Sequence, residues 1–298
     1  MDKAGRWRLA IQAGLVLVVL YFWGQAVYAN WSQVGQVAWQ ADVRLLLASA
    51  ALALVHLPIT ALIWREALRF LGLPVPRRWS VKTYLLAQLG RYVPGGIWDV
   101  AGRMVLSSDR GLPKGPVSVS ILVEMVLGVV TGAMIFLFSL LFWDRALPPE
   151  ALYVAVGFVL VGLLVLHPAL LGPVLSLAAR LLRRDTVPLP LRYSQVLLLA
   201  AYHLLARLVI GLAFFLFAAA LVPLDWHLMP VFAGIFVAAW VLGFVVVFAP
   251  QGLGVREGVM VFLLSFYMPV AAASVIAMAF RLWLSLRDLA VAVLATRL

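Results

Sequence analysis

Eight ionisable side chains lie in or beside otherwise apolar stretches of this chain: Arg91, Asp99, Arg103, Glu124, Arg207, Arg256, Glu257 and Arg281. A charge at the centre of a bilayer costs at least about 2.5–3.5 kcal/mol on insertion scales, so such residues mark ion pairs, wet cavities or transport paths. Five of the eight are arginines and three are carboxylates. If every carboxylate takes one arginine, two guanidiniums remain, and a guanidinium holds phosphate through a planar fork of N–H donors. The chemistry on offer is recognition of an anionic headgroup. Two breaks rich in glycine and proline bracket the set, Pro94-Gly95-Gly96 and Pro250-Gln251-Gly252-Leu253-Gly254. A helix resuming after either break would add backbone N–H donors and a positive dipole end. The expected binding residues are Arg91, Pro94, Gly95, Gly96, Asp99, Arg103, Glu124, Pro250, Gly252, Gly254, Arg256, Glu257 and Arg281. Glu124 or Glu257 could also carry a coupling proton.

The blander reading is that these charges pair and hold a bundle together. Asp99 and Arg103, four residues apart, could pair on one helix or serve the site. Arg256 and Glu257 are adjacent and point to different faces, so they do not satisfy each other. Glu124 lies 30 residues after Pro94 and Arg281 lies 31 after Pro250, which puts both near mid-helix. They are expected to form an ion pair or two ends of one polar site. His203 shares a helical face with Arg207 and reads as packing. His56 and His167 read as core residues at proline kinks, and His227 as a loop residue. There are no cysteines, which excludes disulfides, thiolate metal sites and cysteine nucleophiles. No metal-ligand spacing, Asp-x-Asp or serine elbow is present. Gly252-x-Gly254-(x3)-Gly258 has neither the spacing nor the βαβ context of a dinucleotide loop. No catalytic residue, metal or cofactor is expected.

The elements that must position these residues follow from composition. The 298 residues are 65% hydrophobic and only 12% charged, with mean hydropathy +1.07. Soluble domains carry about 25% charged residues, so a soluble fold is excluded. A net charge of +11 is explained by basic cytoplasmic loops, and nucleic acid is excluded as a partner because no basic face exists outside them. Apolar runs fall at 9–29, 45–64, 116–143, 151–179, 193–222, 229–249 and 270–296. The first is read as an uncleaved helix rather than a signal peptide. Lys3, Arg6, Arg8, Arg65, Arg69, Arg77, Arg78, Lys82, Arg180, Arg183, Arg184 and Arg192 fall on one side. By the positive-inside rule that side is cytoplasmic, and both termini are placed there. Trp31, Trp39, Trp64, Trp79, Trp143 and Trp226, near predicted helix ends, read as interfacial anchors. The amphipathic 65–79 stretch and the basic 180–192 loop, with Pro188 and Pro190, read as lying on the inner leaflet. Residues 80–112 break at Pro94-Gly95-Gly96 into halves too short to span, which predicts a re-entrant hairpin. The fold class is thus all-α: one polytopic transmembrane bundle over 1–298, with about seven or eight spans plus re-entrant broken helices.

The two breaks resemble each other. Pro94-x-Gly96-Ile97-(x4)-Gly102 matches Pro250-x-Gly252-Leu253-(x4)-Gly258 at identical spacing. The helix entering the first starts in the cytoplasm and the helix entering the second starts outside. Interrupted segments in opposite orientation point to an inverted-repeat transporter with its site near the midplane. The halves are about 45–145 and 193–296.

Gly90-Arg91-Tyr92-Val93-Pro94-Gly95-Gly96-Ile97-Trp98, with Gly102-Arg103 and Arg110-Gly111, resembles the first signature of the lysylphosphatidylglycerol synthase transmembrane region family of flippase-like proteins. Pro250-Gln251-Gly252-Leu253-Gly254-Val255-Arg256-Glu257-Gly258 resembles the second, with Gln251 where that family usually carries glycine. Glu124 and Arg281 fall where the family tends to carry Glu and Arg. The resemblance implies a bundle with re-entrant elements that moves aminoacylated phospholipid between leaflets, or serves polyprenyl-phosphate sugar pathways. No aminoacyl-transfer domain is recognisable, so a stand-alone member is expected. The leading expectation is a non-enzymatic lipid flippase of the inner membrane, moving a phospholipid, aminoacylated or other, or a lipid-linked sugar phosphate. The alternatives are a membrane enzyme using Glu124 or Glu257 as base, and a non-transporting partner of a lipid synthase. Membrane lipids are the expected partners. A second copy of the chain and a separate synthase or glycosyltransferase are further candidates.

Overall fold

A computed structural model describes residues 39–92, 98–143, 191–245, 252 and 254–295, with part of 153–173. All regular structure among them is helical. The predicted first span at 9–29, most of the 151–179 run, the basic 180–190 loop, and Pro94, Gly95, Gly96 and Pro250 lie outside the described residues.

The first half contains α1 (Val43–Phe70), α2 (Arg77–Gln88), α3 (Trp98–Asp109) and α4 (Lys114–Ser139); the second contains α5 (Tyr193–Leu221), α6 (Met229–Val245), α7 (Val255–Leu264) and α8 (Val270–Ala295). Local chemistry sets the boundaries. Asp42 caps α1, its carboxylate accepting from the N–H groups of Arg44 and Leu45. Pro76 and Pro113 stand at the N-caps of α2 and α4, where a missing N–H costs no helical bond. Gln195 accepts from the Arg192 N–H at the start of α5. Five stretches among the described residues are long and apolar enough to cross a membrane: Val43–Phe70, Lys114–Phe142, Tyr193–Leu221, Trp226–Phe244 and Val270–Ala295. They coincide with five of the seven predicted runs. α2, α3 and α7 are too short to span, at about 15–18 Å each. α2 and α3 pack together, as a broken hairpin requires.

The two halves share one element order: long helix, entering helix, short helix after a break, long helix. Their contacts correspond too. α1 packs on α2 as α5 packs on α6, α2 on α3 as α6 on α7, and α3 on α4 as α7 on α8. Between halves, α4 packs on α6 and α8 on α2, while α1 on α5 is its own counterpart. α1 and α5 run antiparallel. Gln40 and Asp42, just before α1, donate to the last carbonyls of α5, those of Ala219, Ala220 and Leu221, which have no intrahelical partner. Further along, the Ser49 hydroxyl donates to Ala213 O at 2.7 Å.

Lipid tails are as apolar as leucine, so helices in a membrane associate through close packing and a few polar contacts. The largest buried cluster is aromatic and alanine-rich, with Phe214, Phe215, Phe232 and Phe280 at its centre and Ala213, Ala218 and Ala273 fitting between them. Two sequence expectations need correction. Residues 65–79 are not one amphipathic stretch; they are the end of α1, a short connection and the start of α2. Arg65 donates to Val75 O across that turn and pairs with Glu66. Trp64 is no interfacial anchor either. It is fully buried, and its indole N–H donates to Ser120 Oγ at 3.0 Å. The ring's neighbours explain this: an arginine needed an aromatic wall.

Candidate functional site

The described intramembrane charges form two groups. In the first half, α3 lies against α4, so Arg103 reaches across and meets Glu124. The guanidinium Nη1 donates to Glu124 Oε2 at 2.5 Å, and the Tyr84 hydroxyl donates to Glu124 Oε1 at 2.7 Å. The Arg103 guanidinium sits over the rings of Tyr84 and Trp64, 5.1 and 5.5 Å from their centroids, a favourable placement for a desolvated cation. Arg103 is buried. The expected Glu124–Arg281 pair is therefore not made, because each residue is claimed within its own half. Nor does Asp99 pair locally with Arg103. Its carboxylate accepts from the Val100 N–H in the first turn of α3, while Arg103 is drawn to α4.

The second half mirrors this with the signs exchanged. Glu257, on the short helix α7, forms an ion pair with Arg281 on α8. Its Oε2 also accepts from the Gly254 N–H at 2.8 Å, which closes the start of α7. Gly252 and Gly254 take φ of +65° and +82°, values that disfavour any residue with a Cβ. The break is also crowded. A Cβ on Gly252 would fall 2.5 Å from Gly243 O, and one on Gly243 would fall 2.2 Å from Arg256 Cγ. Gly243 thus lets both the break and the Arg256 stem press against α6. Gly243→Ala is expected to cost about 1–3 kcal/mol by overpacking and to displace Arg256. Thermal unfolding in detergent measures the first effect; an unshifted melting temperature would refute it.

A cavity of about 110 Å³ opens between α1, α5, α6, α7 and α8 and the turn that follows α2. Arg91 enters it from the residues just before the first break, and Arg256 and Glu257 from the first turn after the second. Arg207, Arg281 and Arg287 complete its cationic lining, with Asp288 and His56 beside them. Arg207 lies over Trp240, 3.5 Å from a ring centroid, and Arg256 lies 5.8 Å from the same residue's ring. Trp240 stacks on Phe244 with 9° between planes. Arg207 also nestles against Gly128 of α4, where a Cβ would meet its Nη2 at 3.0 Å. Arg287 donates to Asp288 Oδ1 at 2.6 Å and to Ala53 O at 3.2 Å.

Of the expected binding residues, Arg91, Arg256, Glu257 and Arg281 line this cavity. Gly252 and Gly254 shape the break beside it. Arg103 and Glu124 form their own pair and are not among its lining residues. Sequence reasoning missed Arg287 and Asp288, treated as part of an uninterrupted apolar run. A signal was there: Arg281, Ser285 and Asp288 recur at helical spacing and make a polar stripe along one face. It placed His56 in the packing rather than in a cavity, and it gave Trp240 no role.

Five apolar helices around buried charged clusters define a polytopic integral membrane protein. More particularly, the model of the lysylphosphatidylglycerol synthase TM region matches residues 10–286, and the chain belongs to that family. A stretch of 127 residues is 31% identical to the glycosyltransferase AglD of Haloferax volcanii; the match covers 42% of this chain and 20% of that protein.

Proposed function

We propose that this protein is a lipid transporter of the flippase or scramblase type. It moves a phospholipid, aminoacylated or other, or a lipid-linked sugar phosphate between leaflets of the cell membrane, with both termini in the cytoplasm. The observation that carries this reading is that one cavity draws Arg91 from one side of the first break and Arg256 and Glu257 from the other side of the second. A headgroup held there would sit between the two halves while its acyl chains stay in the bilayer.

The matching helix order and contacts of the halves, and the antiparallel run of α1 and α5, support an inverted repeat, the architecture in which a central site is exposed alternately to each face. Both carboxylates that could act as a base are occupied as acceptors, Glu124 by Tyr84 and Arg103, Glu257 by Gly254 and Arg281. This favours transport over catalysis. The likeness to a glycosyltransferase favours one second reading, a membrane part that serves a lipid-linked sugar synthase.

The test uses purified protein in liposomes containing a phospholipid labelled on its acyl chain, with a membrane-impermeant reductant added outside. Label in the inner leaflet is expected to become accessible in proteoliposomes and to stay protected in protein-free vesicles. Equal protection in both, with labelled phosphatidic acid as well as with a labelled phosphodiester lipid, would overturn the transport reading. Mass spectrometry of the recovered lipid checks the enzyme alternative, since a covalent change in the lipid would replace transport with catalysis.

A further inference from the structure

The charge of the cavity narrows its ligand. Five guanidiniums and two carboxylates line it: Arg91, Arg207, Arg256, Arg281 and Arg287 against Glu257 and Asp288. Two of the cations are matched inside the lining, Arg281 by Glu257 and Arg287 by Asp288. Counting the neighbouring Arg103–Glu124 pair adds one charge of each sign and leaves the excess unchanged. Trp240 lies against Arg207 and Arg256; an aromatic face tempers a cation but carries no net charge. Among the described residues the cavity therefore holds three positive charges beyond its negative ones. Charge taken out of water is costly unless it is compensated, and the excess is one that a ligand can compensate. A neutral polar group joins it. His56 lines the same cavity, and its Nδ1 is buried without a hydrogen-bond partner among the described residues. An imidazole can donate to a phosphate oxygen without adding charge.

Headgroups differ in what they bring. A phosphodiester brings one negative charge. A phosphomonoester carries about −1.5 to −2 at pH 7, and a diphosphate carries at least as much. An aminoacyl ester adds an ammonium that five guanidiniums would repel. The cavity volume, about 110 Å³, gives room for several water-sized groups, the scale of one or two phosphates rather than of a whole lipid.

We propose that this cavity selects a headgroup with two or more negative charges on phosphate, a phosphomonoester or a diphosphate, over a phosphodiester and over a cationic aminoacylated headgroup. Arg91, Arg207 and Arg256 are its phosphate ligands and His56 is the neutral donor. The proposal rests on the transport reading for the lipid that carries the phosphate, and on the lining alone for the charge preference.

Native mass spectrometry of the detergent-solubilised protein tests it, using three probes with identical acyl chains. Phosphatidic acid presents a phosphomonoester, phosphatidylmethanol presents the same phosphate capped by one methyl, and a trimethylammonium-propane diester is cationic. Phosphatidic acid is expected to be retained about tenfold or more over phosphatidylmethanol, the scale of one further charged hydrogen bond. The cationic lipid is expected to stay at background. Arg91→Gln is expected to reduce the preference severalfold. The double variant Arg103→Met/Glu124→Leu, which removes one charge of each sign outside the cavity, is expected to keep it. Equal retention of phosphatidic acid and phosphatidylmethanol by the wild-type protein overturns the proposal without reliance on any variant, and so does retention of the cationic lipid. Millimolar pyrophosphate identifies the source of the phosphate. If phosphatidic acid stays bound, the site takes a lipid headgroup; if pyrophosphate displaces it, a free anion suffices, and both results uphold the selection for charge. Liposome transport separates the two readings. A charge preference without translocation overturns transport alone, and translocation without a charge preference overturns this inference alone.

Discussion

Glu124→Ala is expected to unfold this protein more readily than any other single change in its two charged clusters. The substitution strands Arg103, which is only 5% exposed and whose Nη1 now donates to the lost carboxylate. It also removes the acceptor of the Tyr84 hydroxyl. Removing one partner of a buried pair typically costs about 3–5 kcal/mol, whereas replacing both by apolar groups of similar volume is often neutral. The double variant Arg103→Met/Glu124→Leu should therefore recover most of the stability that Glu124→Ala loses. Thermal unfolding by scattering or size-exclusion chromatography reads this directly. A single variant that melts like the wild type, or a double variant no better than the single, would refute the account. The double variant also assigns the pair a role. Because neither residue lines the cavity, translocation is expected to survive it, which would limit the pair to holding α3 on α4.

What the sequence disclosed and what it hid follow from how each signal arises. Spans were legible because about 20 apolar residues are needed to cross a bilayer; α4, α5, α6 and α8 begin and end within about four residues of the predicted runs, and α1 continues to Phe70, past the predicted end at 64. The second break was legible because glycine and proline punctuate helices whatever surrounds them, and Gly252 and Gly254 do adopt the backbone that calls for glycine. Charge pairing was not legible. Glu124 and Arg281 stand at matching places in the two halves, and symmetry of position suggested that they meet. Position along a helix says nothing about which face the neighbouring helix covers, and α3 and α7 each came between them with a charge of their own. Trp64 shows the same limit. Tryptophan near a helix end is a sound marker of an interface, but here the ring was recruited to wall in Arg103. Arg287 and Asp288 were not legible because two adjacent charges of opposite sign are diluted among the alanines and leucines of the 270–296 run.

The second large effect is functional. Arg256→Met is expected to slow translocation by roughly ten- to a hundredfold while leaving the fold intact. Two observations separate these consequences. The stem of Arg256 is wedged against Gly243, and methionine keeps much of that volume without the guanidinium. The neighbouring Glu257 keeps its own partners, Arg281 and the Gly254 N–H, so the start of α7 stays closed. What disappears is one cation from a cavity that depends on its positive excess, together with a fork of donors beside the break. Charged hydrogen bonds are worth about 1.5–3 kcal/mol each, so losing even one should slow translocation by roughly ten- to a hundredfold. Arg256→Lys restores the charge but not the planar fork and is expected to fall between the two. Arg256→Ala serves as the contrast, since it also empties the space beside Gly243 and should lower the melting temperature where methionine does not. The measurement is initial translocation rate per folded protein in liposomes, with unfolding followed on the same preparations. Loss of rate in strict proportion to loss of folded protein across the three variants would reduce Arg256 to a packing residue. A methionine variant that folds and still transports at the wild-type rate would remove it from the site.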